Sequence, residues 1–131
     1  MRLPKIPVLN FALVTAAVLL CAVSAAAVDD ITNIAPGNIT PEEGRALVQH
    51  KENLVIIDVR NHNEFIAAHY PNAVNIPVTE LEARLNEIPT GRPVLLYCAR
   101  GVRSARAYRI LRENRPDITK LYNISGSPIF N

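Results

Sequence analysis

The chain has 131 residues, 49% apolar and 20% charged, which suits one domain with one core and excludes a disordered or fibrous protein. Fourteen basic and twelve acidic side chains give a formal charge of +2, and Arg2 and Lys5 account for the whole excess. Without them the chain is balanced. That excludes the broad positive field of a nucleic-acid binder and confines positive potential to a local site.

Residues 1–27 read as a secretory signal peptide. Arg2 and Lys5 form its basic start, Phe11–Val23 its apolar centre, and Ser24-Ala25-Ala26-Ala27 the small side chains of a cleavage site. Cleavage is expected after Ala27, with Ala25 as the alternative. The apolar run of about thirteen residues is short against the roughly 20 that span a bilayer, so a membrane anchor is expected only if the segment stays uncleaved. The expected location is periplasmic or otherwise exported, with residues 28–131 as the folded domain. Cys21 leaves with the signal, and bulky Leu20 before it argues against lipid attachment. Cys98 then remains as the only thiol. Exported domains usually pair their cysteines, so a lone one is either a buried, inert hydrophobe or a reactive group.

In chain order, Ile31–Ile34 is a short candidate strand ended by Pro36-Gly37. Thr40-Pro41-Glu42-Glu43 starts a helix, with Thr40 as cap, Pro41 in the first turn and Glu43 closing a capping box, and the helix should run to about His50. Leu54–Asp58 is a continuous apolar run, as in a strand covered on both faces. Asn61 and Glu64 repeat the box spacing and start a short helix through Ala68. Ala73–Ile76 is a brief strand stopped by Pro77. Thr79 with Glu82 is a third box, with Leu81, Leu85 and Ile88 on the apolar side of its helix. Val94–Tyr97 is a second buried strand, Ser104–Asn114 a helix ended before Pro116, and Ile118–Tyr122 a last strand. Strands alternating with helices predict an α/β domain with a mainly parallel five-stranded sheet and helices on both faces. Ligands of such sheets bind beyond the carboxyl ends of the strands. Cys98 stands at one of those ends.

The stretch Cys98-Ala99-Arg100-Gly101-Val102-Arg103-Ser104 joins a strand to a helix. A thiol at a helix N-terminus feels backbone N–H groups and the positive end of the dipole, which favour thiolate. Gly101 permits a turn in which loop amides face inward on an anion. Arg100 and Arg103 add positive charge.

These residues resemble the active-site loop of rhodanese-domain sulfurtransferases. Ile56-Ile57-Asp58-Val59-Arg60 is similar to that family's strand ending in Asp-Val-Arg. Asn63-Glu64-Phe65 and Ala68-His69-Tyr70-Pro71-Asn72-Ala73-Val74-Asn75-Ile76-Pro77 are similar to its Glu-Phe, Gly-His-Ile-Pro-Gly-Ala and Asn-Ile-Pro signatures. The resemblance runs from about residue 38 to residue 126. It implies a rhodanese-like fold, and the export signal suggests the small type related to phage-shock protein E.

The resemblance further implies a sulfurtransferase without metal or organic cofactor. Cys98 takes sulfur from a small anion such as thiosulfate and passes it, through a persulfide, to cyanide or a thiol, or to an exported protein acceptor. Arg103, and with it Arg100, would orient the donor. Ala99, Gly101, Val102 and Ser104 would line its cradle, and Arg60 would project into the pocket. A persulfide carrier or sulfide-responsive module without turnover is the alternative. Related dual-specificity phosphatases of the cell-cycle class set five residues between Cys and Arg. Here four residues, Ala99–Val102, intervene, which argues against phosphatase and arsenate reductase chemistry.

Other polar residues have plainer readings. Asp58 is expected to hold loops by hydrogen bonds, Tyr97 to lie in the core and His69 to be structural. His50 and His62 should be surface residues, and the three histidines lack metal-ligand spacing. Arg106, Arg109 and Arg112 fall on one helix face opposite Ala107, Tyr108 and Leu111, as a solvated face does. Two departures from the family pattern stand out: Ala68 replaces a glycine, and Tyr122–Asn131 lacks the usual Gly-Gly and tryptophan-ended helix, so a closing helix is not expected.

Overall fold

A computed structural model of the chain describes residues 30–131 together with Leu3 and Pro4. Those two apart, the expected signal segment 1–27 lies outside the described residues.

The first expected strand is replaced by a turn. Asp30 accepts hydrogen bonds from the Thr32 N–H (3.1 Å), the Thr32 hydroxyl and Asn33 Nδ2 (2.9 Å), and this local capping winds Ile31–Asn33 into a 3-10 turn. The chain extends only after Pro36, as β1 (Gly37–Ile39). Helix α1 (Pro41–His50) forms as the sequence predicts. Glu43 N–H donates to Thr40 Oγ1 (3.2 Å) and Thr40 N–H to Glu43 Oε2 (2.8 Å). Strand β2 (Val55–Asp58) is buried throughout, and α2 (His62–Ala67) carries the second capping box, between Asn61 and Glu64. Strand β3 (Val74–Asn75) follows.

The third capping box does not form. Leu81–Glu87 is a 3-10 helix whose leading cap position is Glu80, with no side-chain cap bond, and it kinks at Arg84 (φ −121°, ψ 17°). Thr79 lies inside a turn closed by Glu80 N–H on Pro77 O (2.8 Å), and Arg84 ties the kink to Glu80 (2.8 Å) and Glu87 (2.7 Å). Strand β4 (Val94–Tyr97) has the expected bounds, whereas α3 (Val102–Asn114) begins two residues before the expected Ser104. The last strand is displaced from Ile118–Tyr122 to β5 (Leu121–Ile124). Ile118 is buried, but its N–H turns back to Arg115 O (3.0 Å), and Arg115 pairs with Asp117 (2.7 Å), so extension waits for Leu121.

The sheet order is β1-β5-β4-β2-β3, every neighbouring pair is parallel, and β4 is central. Side chains alternate across it. Val55, Ile57, Val94, Leu96 and Cys98 face the layer of α3 and the 3-10 helix, with Ala107, Ile110, Leu111 and Leu81. Ile56, Leu95, Tyr97, Tyr122 and Ile124 face α1, with Leu47 and Tyr70. Each face is therefore covered. Residues 125–131 form no helix and return along the α1 side, where Phe130 packs.

Candidate active site

The site grows from the end of β4. An apolar strand delivers Cys98 to the carboxyl edge of the sheet, and Gly101, in the left-handed region at φ +94°, reverses the backbone into α3. That reversal wraps the loop around the sulfur. Gly101 N–H donates to Cys98 Sγ at 3.1 Å and Ser104 N–H at 3.4 Å, and Ser104 Oγ lies at hydrogen-bonding distance, 3.5 Å. Cys98 is 1% exposed.

Burial is the largest single influence on this thiol and pushes it up. The Ser104 hydroxyl and the N–H groups of Ser104, Arg100 and Gly101 together outweigh it and hold the thiol below its ordinary value. Beside the neutral thiol, Ser104 Oγ accepts from Cys98 Sγ and donates to Gly101 O (3.2 Å), so one hydroxyl links the sulfur to the turn. The loop thus stabilises negative charge on sulfur with fixed dipoles that do not have to reorganise.

The other predicted residues fall in three places. Ala99, Gly101, Val102 and Ser104 belong to the wrapped loop, with Ser104 buried beneath and Val102 exposed. Arg100 is exposed at its rim. Arg103 lies on the first turn of α3, and its guanidinium forks onto Glu64 of α2 at 2.7 and 2.9 Å. Arg103 holds the Glu64 carboxyl down at about 2, against partial burial that pushes it up and with help from the Asn61 N–H. Arg60 is buried and engaged within the fold. It donates to both oxygens of Asp58 (2.6–3.0 Å) and to Ala68 O (2.6 Å), and it stacks against Tyr97 and Phe130 at 5.5 and 5.2 Å. Its Nε and Nη2 groups are thus taken up by Asp58 and Ala68. Asp58, 0% exposed, also accepts from Arg60 N–H (2.9 Å), the loop-holding role its place in the sequence suggests.

Sequence reasoning gave Glu64 a capping role only, and it missed Phe130. The capping-box spacing placed Glu64 at the right turn of α2, but its pairing with Arg103 joins residues 39 apart. Phe130 carried no comparable signal.

An α/β domain with a thiol cradled by amides at the carboxyl end of its central strand is a recognisable class. This chain belongs to the rhodanese-like domain family, whose model matches residues 40–127. It is 46% identical over 88 residues to the uncharacterized protein YqhL of Bacillus subtilis strain 168, an alignment covering 67% of this chain and 66% of that one. Several other curated relatives are longer, and the matches span about a fifth to two fifths of their length. Among solved structures, a rhodanese-like domain protein of Staphylococcus aureus superposes with a TM-score of 0.61 at 30% identity, covering 69% of this chain and 85% of that one. The single-domain sulfurtransferase RDL2 of Saccharomyces cerevisiae gives 0.58 at 25%, covering 72% and 87%.

Proposed function

We propose that this protein is a sulfurtransferase that carries sulfane sulfur on Cys98. The observation that carries the reading is the sulfur cradle: a buried Sγ that accepts from two backbone N–H groups and lies beside one hydroxyl. Such a cradle suits a thiolate and equally the persulfide anion it becomes. Similarity to a single-domain sulfurtransferase supports it.

The chemistry is a two-step relay. Cys98 thiolate attacks the outer sulfur of a donor such as thiosulfate, the donor's S–S bond breaks, and sulfite leaves with the electron pair. Cys98 persulfide anion remains. Cyanide or a thiolate acceptor then attacks the terminal sulfur, giving thiocyanate or a new persulfide and returning Cys98 as thiolate. Charge stays on sulfur beneath the loop amides throughout. Arg100, exposed at the rim and without an ion pair among the described residues, supplies positive charge for the incoming anion, and Arg103 is steadied by Glu64 beside it. That neutralisation of Arg103 favours a second reading, a persulfide carrier that receives sulfur from a partner and turns over poorly with small anions.

The location proposed is the periplasm or another exported compartment, in the manner of phage-shock protein E, with an exported protein or thiol as acceptor. The signal-like composition of residues 1–27 supports it.

Intact mass of the protein recovered from an exported fraction tests both proposals. We expect a chain beginning at Val28 and a gain of one sulfur after thiosulfate treatment, absent in Cys98→Ser. Gain from an organic persulfide but not from thiosulfate would select the carrier reading. No gain from either donor would sink both, and a chain that retains residues 1–27 would sink the cleavage.

A further inference from the structure

The C-terminal tail grips the sulfur loop from two sides. At its near end the contact is backbone on backbone. A Cβ placed on Gly101 would lie 2.9 Å from Gly126 N and 3.4 Å from the Ser125 carbonyl carbon, so the loop turn rests directly on the chain leaving β5. Gly126, at φ +144°, is pressed from behind by α1, where a Cβ would come within 3.2 Å of Pro41 Cγ. Ser125 N–H donates to Ile39 O at 2.8 Å and fixes this junction to the sheet. Gly101 is also a residue whose N–H holds Cys98 Sγ. A shift of the junction therefore moves a donor of the cradle.

The far end is fastened separately. Ile129 N–H donates to Tyr70 Oη (3.1 Å), and Arg45 donates to Asn131 O (3.1 Å). The Phe130 ring meets Tyr70 and Tyr97 edge-on, with centroids 5.0 and 5.8 Å apart, and lies 5.2 Å from the Arg60 guanidinium. Arg60 in turn holds Ala68 O at the end of α2, and α2 carries the Glu64 that clamps Arg103. One end of the tail thus braces Gly101, and the other braces the route to Arg103.

We propose that residues 125–131 act as a strap that positions the Cys98 loop, with Phe130 as the positioning residue that tensions it. The proposal rests on the reading of Cys98 as the sulfur-carrying nucleophile. The strap acts by restraint, without touching the reacting sulfur.

The test is the pH profile of Cys98 alkylation by iodoacetamide in the full chain, read on the Cys98 peptide so that Cys21 does not contribute. A purely structural Phe130 would change melting and leave the profile in place. Phe130→Ala is expected to lower the rate constant on the acidic limb about threefold to tenfold, as the profile moves up by about half to one pH unit. Phe130→Tyr should restore it. Tyr70→Phe, which removes only the hydroxyl that anchors Ile129, should shift the profile the same way by less, and it decides the matter if Phe130→Ala does not fold. Profiles of the folded variants that superpose on that of the unmodified chain would overturn the proposal. Thiosulfate loading of the unmodified chain is measured alongside: its failure counts against the sulfurtransferase reading, whereas the alkylation profile tests the strap independently.

Discussion

Ser104→Ala isolates one element of the cradle. The substitution removes an oxygen 3.5 Å from Cys98 Sγ and 3.2 Å from Gly101 O and leaves the Ser104 N–H in place. Gly101 O keeps a partner, since Ala105 N–H also donates to it at 3.0 Å. The position is the third of α3, where alanine is a good helix former, so little stability should be lost. What changes is the charged state of the sulfur. A net hydrogen bond contributes roughly 1 kcal/mol, and 1.4 kcal/mol corresponds to about one pKa unit. As the thiol ionises, the single Ser104 hydroxyl proton turns from Gly101 O to the sulfur, so its loss disfavours thiolate and the titration midpoint moves up by about half to one pH unit. On the acidic limb the thiolate fraction falls about threefold to tenfold. Ultraviolet absorbance of the thiolate against pH measures the midpoint, with calorimetry to confirm a melting temperature within about 3 °C of the unmodified chain. An unmoved midpoint in a folded variant would refute the assignment of the Ser104 hydroxyl as a stabiliser of the anion.

Glu64→Gln removes the charge from the α2–α3 clamp. It should cost about 1 kcal/mol at neutral pH, a modest figure because both side chains are about a third open to water. The folded carboxyl titrates near 2 instead of its ordinary 4.5, so its contribution is fully present above about pH 4.5 and is lost as pH falls toward 2. Urea unfolding of both proteins should therefore give a constant gap at pH 5–7 that closes in acid, and a gap that widens in acid would contradict the pairing. Gly101→Ala and Gly91→Ala form a matched pair. Both sites have positive φ (+94° and +72°), but an added Cβ meets Gly126 N at 2.9 Å at the first and nothing within 4 Å at the second. Gly91→Ala should cost about 1 kcal/mol and Gly101→Ala at least about 2 kcal/mol more, with slowed Cys98 alkylation only in the latter. Equal melting temperatures would show that the loop yields freely to the contact.

What could be read from the sequence was mostly local. Val94–Tyr97 is apolar at every position and became the central strand with its expected bounds. The Thr40/Glu43 and Asn61/Glu64 boxes formed because Thr40 and Asn61 take the extended backbone of a cap directly before an α-helix. Thr79 and Glu82 show the same spacing and made none, since Thr79 lies inside a turn closed by Glu80 N–H on Pro77 O and the cap position passes to Glu80. Ile31–Ile34 looked like a strand until the Asp30 side chain offered its backbone a tighter alternative. The nucleophile and its loop could be read because one contiguous stretch encodes strand, turn and helix start. The partners that hold the loop could not. Glu64 meets Arg103 and Phe130 meets Arg60 only after the sheet has set its order, and no periodicity reports such a meeting.

The sheet order also sets a schedule for synthesis. Among the described residues β1 is the first strand and pairs with β5, the fifth, and β5 in turn covers the open edge of β4. During translation the early strand has no neighbour to bond with until residues 121–124 emerge from the ribosome. A nascent chain halted before that point exposes one side of its central strand and leaves its opening strand unmatched, a state prone to aggregation. The parallel ladder can then close only once β5 is available, and the strap that follows β5 settles after it.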